Sequence, residues 1–170
     1  AAGKCIEWYE QAFGKEIKLV RCMPNTPAMV GEGCSAVCAN QNVTETEREL
    51  VLELLGSLGR TYIIREGLID AFSAIAGSSP AYVFMFLEAM ADAGVAAGMP
   101  RGQAIEVAAQ AVLGSAKLLL ETGKHPGELK DMVCSPGGTT IQGVRTLEEQ
   151  GMRGAVIDAL LACVERAGKL

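Results

Sequence analysis

Short apolar runs occupy the first third of the chain, and longer apolar stretches with helical spacing occupy the rest. The short runs predict β-strands over residues 17–23, 34–39 and 60–65. Residues 44–59 predict a helix that Thr44 caps and in which Glu47 completes a capping box. The apolar positions of this helix share one face, at Leu50, Leu54, Leu55 and Leu58. The first 65 residues are therefore expected to be mixed α/β.

The strand pattern disappears after Leu68, and the remaining segments have helical periodicity. They predict helices over residues 81–99, 101–121, 125–134, 136–150 and 153–169. Pro80 either opens the first of these helices or kinks a longer one. The fold class that follows is an α/β portion succeeded by an all-α portion.

Two of the predicted helices have unusual surfaces. The helix over 81–99 is apolar almost all round near its start, so it needs cover on more than one side. The helix over 101–121 is rich in alanine, and Gly114 and Ser115 allow another backbone to approach closely. We expect a homodimer whose helices pack across subunits, the alternative being a core helix inside a larger monomer.

Charge and composition narrow the classes of function. The chain has 15 basic and 20 acidic residues and a formal charge of −5, which argues against a nucleic-acid or anionic-membrane partner. No apolar run reaches about 18 residues without a charge, so no membrane span is expected. The six cysteines form no C-x-x-C pair and there is one histidine, so no metal site is expected. Free cysteines favour a reduced, cytoplasmic setting.

The stretch CSPGGTTIQGV, residues 134–144, places two glycines where a helix is predicted to begin. Ser135 is expected to cap this helix and Pro136 to be its first residue. The N–H groups of the next three residues, Gly137, Gly138 and Thr139, would then lack intrahelical acceptors and could hold a small carboxylate. The alternative is a capped helix whose glycines serve only close packing.

Three other polar segments have both a structural and a functional interpretation. In MPNTPAMVGEG, residues 23–33, two prolines flank Asn25 and Thr26 after a strand, which predicts either a rigid ligand-binding loop or a simple turn. Ser78 and Ser79 either ease a helix bend or belong to a site. His125 precedes a proline at a helix start, so we expect it to act as a helix cap.

These segments, in this order, resemble pyrroline-5-carboxylate reductase over nearly the whole chain. The resemblance is carried by RCMPNTPAMVGEG, by AIAGSSPAYVFMFLEAMADAGVAAGMPR and by HPGELKDMVCSPGGTTIQGVRTLEEQGMRGAVIDAL. It implies reduction of 1-pyrroline-5-carboxylate to L-proline, the last step of proline biosynthesis, with NADPH or NADH. It also implies a homodimer, and dimers that stack into larger rings.

The resemblance assigns the two domains and the site residues. Residues 1–67 are expected to be the last part of a Rossmann-type dinucleotide-binding domain, and residues 68–170 a helical dimerisation domain like the C-terminal domain of 6-phosphogluconate dehydrogenase. Thr140 would act on the ring nitrogen as the catalytic residue. The residues implied around the substrate carboxylate are Ser135, Gly137, Gly138, Thr139 and Thr140. Those implied on the nicotinamide side are Pro24, Asn25 and Thr26.

The sequence departs from the family in one respect. The 170 residues contain no G-x-G-x-x-G turn, so we expect a truncated chain that binds NADPH weakly or not at all. An inactive helical dimerisation module is therefore an alternative function. A related reductase of the same two-domain plan, acting on a hydroxy acid, is another, although such enzymes use a lysine and none lies in a matching loop.

Overall fold

Three short β-strands form a small sheet, and the elements that follow them, up to residue 169, are helices. The structure is a computed structural model that describes residues 3–169. It divides into a first unit, Ala1–Ala81 with Asp158–Leu170, and a second unit, Tyr82–Ile157.

The sheet of the first unit has three strands in the order β1-β2-β3. They are β1 (Val20–Met23), β2 (Gly33–Ala39) and β3 (Gly59–Ile63). β1 pairs with β2 antiparallel, and β2 pairs with β3 parallel. The three predicted strands are confirmed, although β1 and β3 are shorter than predicted and β2 begins one residue earlier. The antiparallel pair follows from the short connection, because a parallel crossover needs a dozen or more residues.

Two helices accompany the sheet, α1 (Ile6–Phe13) and α2 (Glu45–Gly56). The capping box predicted for α2 is confirmed, with Thr44 and Glu47 bonding reciprocally. The face of α2 that carries Leu50 and Leu54 is largely uncovered, since these side chains are 56% and 63% exposed.

The sequence analysis missed α1. Its N-cap residue, Cys5, makes no side-chain capping bond. Instead the backbone N–H of Ile6 donates to Oε1 of Glu66 at 2.7 Å. Arg21 donates to the same carboxylate at 2.9 Å, and both charged side chains are largely buried. A cap supplied from 60 residues away leaves no local signal.

The core of the first unit lies where α1 and the sheet meet the first turns after β3. Its buried members are Ile6, Ala36, Cys38 and Ile69. Ile69 belongs to a short helix, α3 (Ile69–Phe72), which continues as a π-helical turn over Ser73–Ser78. The core therefore fixes this turn relative to the sheet.

Five further helices complete the chain. They are α4 (Ser79–Ala96), α5 (Arg101–Thr122), α6 (Pro126–Val133), α7 (Thr139–Glu149) and α8 (Met152–Ala167). All five were predicted, but α7 begins at Thr139 and not at Pro136. Helical structure runs through Pro80, which agrees with the alternative of one long, perturbed helix.

In the second unit, α4 and α5 contact each other through small side chains. Ala91, Ala104 and Ala108 are buried there. A β-carbon added at Gly94 would lie 3.1 Å from Cβ of Ala104. Large apolar side chains point elsewhere, and Phe84 is 65% exposed. Space at Gly114 is open, because a β-carbon there would meet no atom within 4 Å.

The helical stretch Glu66–Ala96 is, by length and composition alone, long and apolar enough to cross a membrane. Only 17% of its most apolar window is buried. A helix that a protein partner covers has the same properties, so this finding does not identify its surroundings.

The carboxyl group of Glu47 makes the stability of the first unit depend on pH, and this dependence can be tested. Nζ of Lys18 donates to Glu47 at 2.6 Å, and the backbone N–H of Thr44 donates to it at 2.9 Å. These bonds, with that to Lys18 the largest cause, lower the pKa of Glu47 from 4.5 to about 2. Because the folded-state pKa is depressed, the stabilisation is complete above pH 4.5 and is lost as the pH falls towards 2.

We therefore expect Glu47→Gln to reduce the loss of unfolding free energy between pH 4.5 and 2. The measurement is urea denaturation across that range, with carboxyl NMR to titrate Glu47 directly. Glu53→Gln, on the exposed surface of the same helix, is the control and should leave the pH dependence as it is. An ordinary pKa for Glu47 in the folded protein would contradict the assignment.

Candidate functional site

The turn before α7 is built differently from the sequence prediction. The N–H of Gly138 donates to the carbonyl of Ser135 at 3.0 Å, which closes a turn over residues 135–138. The N-cap of α7 is Gly138, with extended backbone angles, so the prediction of Ser135 as N-cap and Pro136 as first helical residue was wrong. The physical reason is Gly137, whose φ of +69° reverses the chain before the helix can begin.

The two glycines of this turn have two separate reasons. Gly137 occupies the left-handed region, which costs other residues roughly 1–2 kcal/mol. Gly138 has ordinary angles, but a β-carbon there would lie 2.3 Å from Oγ of Ser135 and 3.2 Å from its carbonyl oxygen. The first glycine is required by backbone shape and the second by the closeness of Ser135.

The start of α7 offers bare hydrogen-bond donors. No side chain caps it within the described residues 3–169. The N–H groups of Thr139, Thr140 and Ile141 occupy the first three helical positions, where no intrahelical acceptor exists. Thr139 and Thr140 are exposed, so their hydroxyls are open to a ligand. The sequence analysis missed Ile141, because it placed the helix start three residues too early.

α6 leads into this turn, and His125 holds its beginning. Nδ1 of His125 accepts from the N–H of Gly127 at 3.1 Å, and Pro126 is the first helical residue. The expectation that His125 acts as a cap is confirmed. At the other end of α6, a hydrogen bond to Asp131 raises the pKa of Lys130, so this lysine stays charged. A charged lysine held in this way is a poor proton donor at neutral pH.

The second candidate segment, the loop of residues 24–33, lies in the first unit and follows β1. A 3-10 turn, Thr26–Val30, occupies its middle and ends at Gly31 with φ of +77°. Oδ1 of Asn25 accepts from the N–H of Cys34 at 2.8 Å. Nδ2 of Asn25 donates to the carbonyl of Ala76 at 2.9 Å. Pro24 and Thr26 are exposed on either side of this anchored residue.

The cysteines do not add redox or metal chemistry to these loops. Cys5, Cys22, Cys34, Cys38 and Cys134 are free. Burial raises the pKa of the Cys22, Cys34 and Cys38 thiols, which keeps them protonated and unreactive at neutral pH. Among the described residues, no group of three or more His, Cys, Asp or Glu side chains could hold a metal ion.

Comparison with known proteins points to one family. The family model "Pyrroline-5-carboxylate reductase dimerisation" matches residues 66–170. The pyrroline-5-carboxylate reductase of Escherichia coli (strain K12) is 54% identical over 170 residues, covering 100% of this chain and 63% of the relative. That of Methanosarcina acetivorans is 46% identical over the same coverage. The chain thus spans 63% of the length of these curated relatives.

Solved structures agree with the sequence comparison. A pyrroline carboxylate reductase of Plasmodium falciparum with NADP bound has a TM-score of 0.92 and 36% identity. It is matched over 99% of this chain and 68% of its own. A 1-pyrroline-5-carboxylate reductase of Streptococcus pyogenes has a TM-score of 0.93 and 38% identity, over 99% of this chain and 65% of its own.

The separate roles of the two glycines can be tested by stability measurements. Gly137→Ala should cost about 1–2 kcal/mol of unfolding free energy, because alanine is strained at this φ. Gly138→Ala should also destabilise, and Ser135→Ala in the same chain should recover part of that loss. Chemical denaturation measures each variant.

Gly143→Ala is the matched control, since this glycine lies inside α7 with no atom within 4 Å of an added β-carbon. We expect it to stabilise the protein by roughly 0.5–1 kcal/mol, through helix propensity. If Gly137→Ala were as stable as Gly143→Ala, the turn would not depend on its left-handed residue.

Proposed function

Because the chain belongs to the pyrroline-5-carboxylate reductase family, we propose that the protein reduces 1-pyrroline-5-carboxylate to L-proline with NADPH or NADH. The observation that carries this proposal is the start of α7. No side chain of the described residues caps it, and its backbone N–H donors follow directly after Gly138. The proposed domains are residues 1–67 for the cofactor side and 68–170 for dimerisation and substrate. The proposed setting is the cytoplasm, which the free thiols of Cys5, Cys22, Cys34, Cys38 and Cys134 support.

The start of α7 suits the carboxylate of a small cyclic imino acid. The N–H groups of Thr139, Thr140 and Ile141 can donate to the carboxylate oxygens, and the hydroxyls of Ser135 and Thr139 supply further donors. The helix dipole adds about 0.3–1 kcal/mol, and hydrogen bonds to a charged group contribute roughly 1.5–3 kcal/mol each. These contributions can hold the carboxylate without an arginine. Gly137 and Gly138 place no side chain beside it.

The reaction needs little acid–base machinery from the chain. A protonated cyclic imine already accepts a hydride at its ring carbon, and the electron pair of the C=N bond moves to the nitrogen. The nitrogen keeps its proton, so the product forms without a further proton transfer. The Thr140 hydroxyl is proposed to accept a hydrogen bond from that N–H and so to fix the orientation of the ring.

The segment that follows β1, with Pro24, Asn25 and Thr26, is proposed to line the nicotinamide end of the cofactor. The bound nicotinamide supplies the hydride. Pro24 and Thr26 fit this role because both are exposed, and the residue between them, Asn25, is fixed by hydrogen bonds. The donors of a glycine-rich pyrophosphate turn are absent from the 170-residue sequence, so these residues fit one end of a dinucleotide only.

A second copy of the chain is the proposed partner of the second unit. Large apolar side chains of α4 and α5 are exposed, among them Phe84, Met85 and Leu113. A cavity of about 520 Å³ adds apolar surface near α7 and α8, where Val144, Leu147 and Ile157 line it. An identical subunit would bury this surface, and so its exposure supports a homodimer. The stacking of dimers into rings is a further proposal.

Substitutions at the start of α7 test the activity in the complete gene product. Thr140→Val keeps the shape and removes the hydroxyl, so turnover should fall more than substrate binding weakens. Gly138→Val brings a branched side chain against Ser135 beside the proposed carboxylate site, so it should lower both the unfolding free energy and kcat/KM, the latter at least ~100-fold, or about 2.7 kcal/mol. The assay follows oxidation of NADPH with 1-pyrroline-5-carboxylate.

Thr146→Val is the control for Thr140→Val. Its hydroxyl bonds the Gln142 carbonyl at 3.1 Å, further along α7, and its removal should leave turnover unchanged. Equal turnover of Thr140→Val and Thr146→Val would show that the substrate lies elsewhere.

The homodimer is tested by sedimentation at micromolar concentration, where we expect twice the mass of one chain. Phe84→Glu places a charge on the exposed apolar surface of α4 and should shift the protein towards monomer. Leu54→Glu is the matched control, since Leu54 is 63% exposed and lies outside residues 66–170. A monodisperse wild-type monomer would refute the assembly.

A further inference from the structure

The side chain of Asn25 does not serve the helical turn that it precedes. Asparagine is among the best N-cap residues, and Asn25 occupies the N-cap position of the 3-10 turn Thr26–Val30. Its side chain makes no capping bond there. Both ends of its amide are used instead by residues that lie 9 and 51 positions further along the chain.

The partner 51 residues away is a buried carbonyl whose α-helical donor is missing. Ala76 is 8% exposed and lies in the π-helical turn Ser73–Ser78. Four residues later comes Pro80, which has no N–H and therefore cannot donate to Ala76 as an α-helix requires. A buried carbonyl without a donor is costly, and Nδ2 of Asn25 supplies one at 2.9 Å.

The loop after Asn25 is held at both ends and open at its tip. Its turn is closed by local backbone bonds, from the N–H of Ala28 to the Asn25 carbonyl and from Glu32 to Pro27. At the far end Ala28 lies against Gly33, whose N–H donates to the Leu58 carbonyl at 2.8 Å. The tip is open to solvent, with Met29 89% and Val30 77% exposed. The position of the first part of the loop therefore depends on how Asn25 is held.

We propose that Asn25 is a positioning residue, which fixes the nicotinamide-side loop against the π-helical turn at Ala76 and does not itself bind the cofactor. Its amide joins the MPNTP and GSSP segments, two motifs that are separate in the sequence. The proposal rests on the proposed function, because it takes the loop of residues 24–33 to lie at the nicotinamide. Displacement of such a loop harms hydride transfer more than cofactor affinity, since most dinucleotide contacts are made by other parts of the fold.

The test uses Asn25→Asp and Asn25→Leu in the complete gene product. The aspartate keeps an acceptor for Cys34 and turns a carboxylate oxygen towards the Ala76 carbonyl, whereas leucine removes both bonds without adding charge. We expect kcat to fall at least ~30-fold in both, with the dissociation constant of NADPH, measured by fluorescence, changed less than ~3-fold.

Asn40→Asp is the matched control. Oδ1 of Asn40 accepts from the N–H of Leu19 at 3.1 Å, and its Nδ2 donates to the distant carbonyl of Ile17 at 2.9 Å in the same unit. Its loss should lower thermal stability and leave kcat unchanged. This control separates a general loss of stability from displacement of the loop.

A double-mutant cycle with Pro80→Ala tests the reason for the bond. Alanine at position 80 restores an N–H that can donate to the Ala76 carbonyl. In that background, Asn25→Leu should cost less thermal stability than it does alone, while kcat stays low because the loop is still released. This measurement does not depend on the substrate, so it remains informative even if the wild-type protein fails to reduce 1-pyrroline-5-carboxylate.

Two results would overturn the proposal. If NADPH affinity falls in proportion to kcat/KM while kcat is unchanged, Asn25 is a cofactor ligand. If kcat of both Asn25 variants stays within ~3-fold of wild type, the bond to Ala76 is only structural. Absence of wild-type reductase activity would count against the proposed function, and additive stability effects in the Pro80 cycle would count against the bond's role.

Discussion

The second unit is built on small side chains, and this leaves its larger apolar ones exposed. Ala91, Ala104 and Ala108 are buried, and a β-carbon at Gly94 would already crowd Ala104. A contact made from alanines buries little apolar area, because most of the hydrophobic gain comes from larger side chains. Larger residues of α4 and α5 such as Phe84, Met85 and Leu113 stay exposed, which supports the proposed cover by a second copy of the chain. The family model that matches residues 66–170 is described as a dimerisation domain, which is consistent with this constraint.

The turn before α7 also depends on residues without large side chains, and here they leave backbone N–H groups exposed. Gly137 reverses the chain, and Gly138 leaves room beside Ser135. Together they deliver a helix whose first N–H groups are covered by no side chain. The proposed binding of a carboxylate uses backbone N–H groups, which every residue except proline possesses. It is therefore controlled by the shape of the turn and not by the charge of nearby residues.

Interactions between residues within one helical turn could be predicted from the sequence, and interactions between residues far apart in the sequence could not. The capping box of Thr44 and Glu47 and the cap made by His125 involve residues two or three positions apart, and both were predicted correctly. The cap of α1 comes from Glu66, so the helix was missed. The start of α7 was misplaced because Ser-Pro is a good helix opening wherever the next residue permits it, and Gly137 does not. The pattern also suggested a carboxylate site and a rigid ligand-binding loop, but the partners of Asn25 became visible only in the folded chain.

The bond between Asn25 and Ala76 has a consequence for the order in which the first unit folds. Its ends are 51 residues apart, and β2, α2 and β3 lie between them. The turn at Ser73–Ser78 must dock before the bond can form, so the loop after β1 reaches its final shape late, although β1 itself comes early in the chain. The amide hydrogen of Cys34 is held by the same side chain. Its exchange with solvent therefore reports on the docking of a helix with which it shares no backbone contact.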